Sequence, residues 1–106
     1  AALKATPMEG TRYVAITTGM DQPGMMLAIS SFMAEHNINI EDWSTVLDGA
    51  HVTHVVYVTF HAPCTDLKTV QAQFKQAMTE AGFTAQLCHE DIFRATGEIA
   101  PIKTIL

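Results

Sequence analysis

Residues 47–61, Leu-Asp-Gly-Ala-His-Val-Thr-His-Val-Val-Tyr-Val-Thr-Phe-His, decide how this chain folds. Asp48-Gly49 is a strong hairpin signal, because tight hairpin turns need positive φ angles that Asp, Asn and Gly tolerate. After it Val52, His54, Val56, Val58 and Phe60 alternate with Thr53, Val55, Tyr57, Thr59 and His61, which is the period of a strand over 52–61. The turn also demands a partner strand before it, over 38–47. There the pattern changes parity: Ile38 and Ile40 fall on even positions, Trp43 and Leu47 on odd ones. A bulge near Glu41-Asp42 reconciles the two halves, since one extra residue reverses which face the side chains meet.

Both flanks of the hairpin repeat one unit. Upstream, the β-branched run 12–18 reads as a strand and 19–24, Gly-Met-Asp-Gln-Pro-Gly, as a turn cluster. Asp21 or Gln22 is suited to cap a helix there and Pro23 to occupy its first position, where a missing N–H costs nothing. Met25, Ile29, Phe32, Met33 and His36 then follow at helical spacing, and Asn37 is the natural left-handed exit. Downstream, Pro63 ends the strand and Thr65 or Asp66 caps a second helix. Its apolar stripe is Leu67, Val70, Phe74, Ala77, Met78 and Ala81, and Gly82 stops it. Phe83, Ala85, Leu87 and His89 alternate as a fourth strand. The order βαββαβ predicts an α+β, ferredoxin-like sandwich. Its antiparallel sheet has strand order 4-1-3-2, fixed by right-handed crossovers, with both helices on one face. The other face has no helix to cover it, and Trp43, Val55 and Tyr57 are candidates for it. A leader arm over 1–11 and an apolar tail over 92–106 flank the domain of 12–91. The tail is suited to pack on a second subunit, an absent domain or its own sheet.

At 106 residues, 48% hydrophobic and 16% charged, the composition fits one domain with a sizeable core and excludes a long disordered tract. Six Lys/Arg scattered against eleven Asp/Glu make no basic stripe, so direct nucleic-acid binding is not expected. No run spans a bilayer and no signal peptide opens the chain, which predicts a cytoplasmic protein without a membrane partner. Cys64 and Cys88 have neither CxxC nor zinc spacing and read as free thiols.

No nucleophile motif, HExxH pair or phosphate loop occurs. Of the five histidines, His61 and His89 fall with Cys64 and Cys88 towards one end of the sheet, but strand 1 intervenes, so no metal or other cofactor is expected. His54, on the apolar face, reads as a hydrogen-bonded core residue. What remains is the 19–24 loop. The exposed N–H groups at Gly24 and Met25 suit a carboxylate and Asp21 suits an ammonium, the charge pair of a free amino acid. Taken alone, those six residues read more simply as a plain helix start.

Residues 13–48 resemble an ACT domain, an amino-acid-sensing module. A hydrophobic strand leads into Gly19-x-Asp21-x-Pro23-Gly24, then an apolar helix, then Asn39-Ile40 opening strand 2. The ending Leu87-Cys88-His89-Glu90-Asp91-Ile92-Phe93-Arg94-Ala95 is further similar to stand-alone and tandem ACT proteins of the glycine cleavage system repressor type. The resemblance implies non-catalytic regulation, of metabolism or transcription, through an amino acid bound at a dimer interface. It assigns ligand contact to Met20, Asp21, Gln22, Pro23, Gly24 and Met25, with Asn39 and Ile40 supplied from the neighbouring subunit of a homodimer or higher oligomer. An acidic chain would then act through a regulated protein partner. Met25-Met26 after Pro-Gly and Trp43 on strand 2 depart from the commoner pattern and leave the effector open. Two rivals share the topology: a dimeric α+β barrel enzyme with Trp43, His54 and Tyr57 lining a cavity, and an assembly module with no ligand.

Overall fold

The computed structural model describes residues 11–60 and 66–92. The leader arm up to residue 10, the tail from residue 93 onwards, and the expectations placed on His61, Pro63, Cys64 and Thr65 lie outside them. The elements run β1 (Arg12–Met20), α1 (Met25–Glu35), β2 (Ile38–Asp48), β3 (His51–Phe60), α2 (Leu67–Glu80), β4 (Thr84–His89) and a short α3 (Glu90–Ile92). The four strands form one sheet in the order β2-β3-β1-β4, the expected order read from its other edge, and every pairing is antiparallel.

The sequence signals act where they stand. Asn37 takes the left-handed conformation at φ 56° and Gly82 does so at φ 98°, each ending a helix. The Asp66 side chain accepts from the Lys68 N–H at 3.1 Å and so caps α2. The β2–β3 register slips between Ile40 and Asp42, leaving Glu41 as the extra residue. That bulge puts Ile38 and Ile40 across from Phe60 and Val58, and Trp43, Thr45 and Leu47 across from Val56, His54 and Val52. All five β2 side chains therefore share the face that the helices cover.

Met25, Ile29, Phe32 and Met33 of α1 and Val70, Phe74 and Met78 of α2 are buried against Tyr13, Ala15, Val52, Val56, Val58 and Phe60 of the sheet. Trp43 packs on this same cluster, half-buried, which corrects its expected place on the opposite face. Once the bulge is counted, its parity is that of Val56. Tyr57 and Val55 do lie on the opposite face, where Val55 joins Val14 and Ile16 in a second buried cluster with Tyr57 and Cys88 against it. The centre of that face is buried, against the expectation of an uncovered one.

Deleting Glu41 removes the bulge and forces Ile38 and Ile40, or Trp43 and its neighbours, onto the wrong face. Loss of Ile38 burial alone corresponds to about 1.5–3 kcal/mol. Urea unfolding of the deletion variant is expected to show at least that drop; an unchanged midpoint would mean that the bulge does not set the register.

Candidate functional site

β1 runs two residues beyond the expected strand, to Met20, and carries the following loop up to the β2–β3 hairpin. There the Asp21 N–H donates to the Ala50 carbonyl at 2.7 Å and fastens the loop to the turn. The loop does not cap the helix as the sequence suggested. α1 begins at Met25, its N-cap is Gly24 at φ 95°, and no side chain accepts from its first turn. The left-handed φ explains the glycine: it turns the chain where a Cβ would be strained, although open space surrounds it. Pro23 lies in the turn before the helix rather than in it. The first N–H groups of α1 are thus left without a side-chain partner, and with them the partial positive charge of the helix start.

Between this loop and the hairpin is a cleft of about 310 Å³. Asp21, Gln22, Pro23, Gly24, Met25 and Met26 form one wall, and Thr45, Leu47, Val52 and His54 form the other. The structure thus brings together five of the residues expected at the site. Met20 is the exposed residue just before them. Asn39 and Ile40 do not join them: they pair with Thr59 and Val58 at the opposite end of β2 and β3.

The polar floor of the cleft was the least legible part. His54 is 5% exposed. Its Nδ1 accepts from the Trp43 indole Nε1–H at 2.9 Å, with the Thr45 hydroxyl on the same nitrogen at 3.1 Å. An indole nitrogen can only donate, so Nδ1 accepts and the neutral ring carries its proton on Nε2. Thr45 must then donate as well. Burial holds the His54 pKa below its ordinary value of 6.5, and the negative charge of Asp21 offsets this only in part. The expectation of a hydrogen-bonded core histidine covers half of its role, because the same ring also faces the cleft. The partners Trp43 and Thr45 were missed. The Asp48-Gly49 turn, by fixing Thr45 opposite His54, was the signal that could have found them.

Trp43 and His54 meet edge to face with centroids 5.5 Å apart, but Tyr57 lies on the other side of the sheet, so the three do not line one cavity. Cys88 and His89 likewise fall on opposite faces of β4, Cys88 in the second cluster and His89 edge-on to Tyr13. Burial pushes the Cys88 thiol pKa up. Among the described residues, no three His, Cys, Asp or Glu side chains gather to hold a metal ion, and no helix is long and apolar enough to cross a membrane.

No family model matches the chain. A UPF0237 protein of Methanopyrus kandleri is 34% identical over 85 residues, which is 80% of this chain and 94% of that protein. Among solved structures, an ACT domain protein from Streptococcus pneumoniae superposes with a TM-score of 0.69 at 19% identity, covering 78% of this chain and 93% of that one. A protein assigned as a glycine cleavage system transcriptional repressor does so with a TM-score of 0.64 at 16% identity, over 76% of this chain and 46% of its own length. At these identities the structural matches establish an ACT-like fold. They do not single out the repressor type.

A histidine whose folded pKa is depressed binds protons more readily when unfolded, so its contribution to stability is complete above 6.5 and is lost progressively as the pH falls from there through the lower folded value. The groups facing it are the neutral Trp43, Thr45 and Thr17 and the charged Asp21. Thermal unfolding followed by circular dichroism is expected to show the wild-type midpoint falling between pH 7.5 and 5.5 more steeply than that of His54→Gln. Parallel curves would refute the depressed pKa.

Proposed function

This chain belongs to the UPF0237 family, and on that premise we propose that it is a non-catalytic regulatory domain that binds a small molecule, an amino acid, and acts as a dimer. The observation that carries this reading is the cleft between the 21–26 segment and the β2–β3 hairpin. It combines a carboxylate at Asp21 with the uncapped start of α1. A zwitterion carries the complementary pair, its ammonium for Asp21 and its carboxylate for the helix N–H groups. The ACT-like fold supports the reading, since the same loop bears the family resemblance in the sequence. Gln22, Pro23, Gly24 and Met25 shape the wall, and Met20 stands exposed just before it.

Asn39 and Ile40 enter through the second protomer. β2 is an edge strand of the sheet, so two copies set side by side in opposite sense would bring one copy's 38–40 segment to the other's 21–24 loop. Binding would then strengthen the dimer, and the dimer would be the species read by a protein partner in the cytoplasm. Control of transcription, on this view, passes through that partner, because a chain with a net charge of −5 repels DNA phosphates.

Calorimetry of the full chain against the twenty L-amino acids at millimolar concentration is expected to give heat with at least one of them. Asp21→Asn and Asn39→Ala should each weaken it by about tenfold or more, the scale of a charge-assisted hydrogen bond at ~1.5–3 kcal/mol. Light scattering should report a dimer. Absence of heat from all twenty, or a monomer with and without ligand, defeats the proposal.

A further inference from the structure

His54 has one donor to spare. With Nδ1 occupied by Trp43 and Thr45, the proton sits on Nε2, and no hydrogen-bond partner of Nε2 is found among the described residues. The ring is buried yet lines the cleft. Directly across from it in the β1–β3 register stands Thr17. Thr17 is fully buried and its hydroxyl oxygen has no partner. Buried polar groups are nearly always satisfied; here the Thr17 hydroxyl is buried without a partner beneath the cleft wall, and the His54 donor opens onto the cleft itself. The uncapped start of α1 lines the same cleft and favours a negative group. The rim is of the opposite character: Met26 is 54% exposed and Leu47 64% exposed, one on each wall.

We infer that His54 is a ligand-contact residue whose Nε2–H donates to the carboxylate of a small acid with a branched or linear apolar side chain, held within a single protomer's cleft. Trp43 and Thr45 are positioning residues: they keep the imidazole in the one tautomer that offers a donor to the cleft. The apolar chain of the ligand covers Met26 and Leu47, and its carboxylate spans His54 and the start of α1. This deepens the amino-acid reading of the same cleft and rests on it for the site, but it needs neither the ammonium nor the second subunit.

The test uses the full chain, 15N-labelled, with L-leucine, 4-methylpentanoate (the same skeleton without the ammonium) and leucinamide (the same skeleton without the carboxylate). L-Leucine and 4-methylpentanoate are expected to shift the His54 Nε2 resonance, while leucinamide leaves it in place. His54→Asn keeps an acceptor for Trp43 but no longer reaches the cleft, and should weaken both acids at least tenfold. His54→Gln, whose amide restores a donor near the Nε2 position, should recover part of the loss, which a purely structural role would not produce. If leucine binds and His54→Asn binds it equally well, the inference falls while the amino-acid reading survives. If 4-methylpentanoate binds through His54 and no amino acid does, the amino-acid reading falls and the inference stands. Silence of the His54 resonance towards both acids at 10 mM overturns it.

Discussion

The extra residue at Glu41 is the constraint on which the site depends. A strand presents alternate side chains to alternate faces, so without a bulge Ile38 and Trp43 could not both meet the helices. With it, the half of β2 nearest the turn brings Trp43 and Thr45 beside His54, and Leu47 beside Val52. The indole N–H then has an acceptor and the histidine a fixed tautomer. Remove the bulge and only one half of β2 can face the helices: either Ile38 and Ile40 leave the core, or Trp43 and Thr45 turn to the other side of the sheet and leave His54 with an unmet nitrogen.

A buried histidine is costly, and this one is tolerable because it is neutral. Its Nδ1 exchanges water for two protein donors, so the desolvation of that nitrogen is largely offset. The charged form has no such compensation: a proton on Nδ1 would face the Trp43 N–H donor to donor. The Asp21 carboxylate pulls the other way, but it lies at the exposed rim, where water weakens its field. The cleft therefore combines a neutral donor at its floor, a negative group and a helix start at its edge, and apolar side chains on both walls. Polar groups few in number and fixed in direction, within apolar surroundings, are the general character of small-molecule sites.

Much of the fold was legible because single residues carry it. Asn37, Gly82 and Asp66 announce their turns and cap through backbone preferences that tertiary context did not override, and the parity break in β2 pointed to its bulge. The helix start was misread because Asp, Gln and Pro all favour such a position locally. The Asp21 N–H bond to Ala50, 29 residues downstream, pulls the loop into another path. The site was legible on one wall only. Loop 21–25 stands out by composition, whereas Thr45, Leu47, Val52 and His54 read as ordinary strand residues until the hairpin register places them opposite it. Trp43 was assigned to the wrong face although its own bulge was foreseen, because an indole with no evident partner looks like a surface waiting for one.

The position of Asn39 bears on how a ligand would be held. Asn39 and Leu47 lie on one strand, eight residues or roughly 26 Å apart, and only Leu47 is at the cleft. A single protomer can therefore supply the floor through His54 and the rim through Met26 and Leu47, but not the Asn39 amide. If a second copy adds Asn39 along the free edge of β2, it closes over a molecule already seated rather than creating the place for it. Affinity would then divide into an intrinsic part, set by one chain, and a part that appears only on association. If ligand and second copy did meet at the same cleft, whatever factor one applied to the affinity of the other would be returned in equal measure. Such reciprocity would let a domain this small couple occupancy to assembly without any change in its own fold.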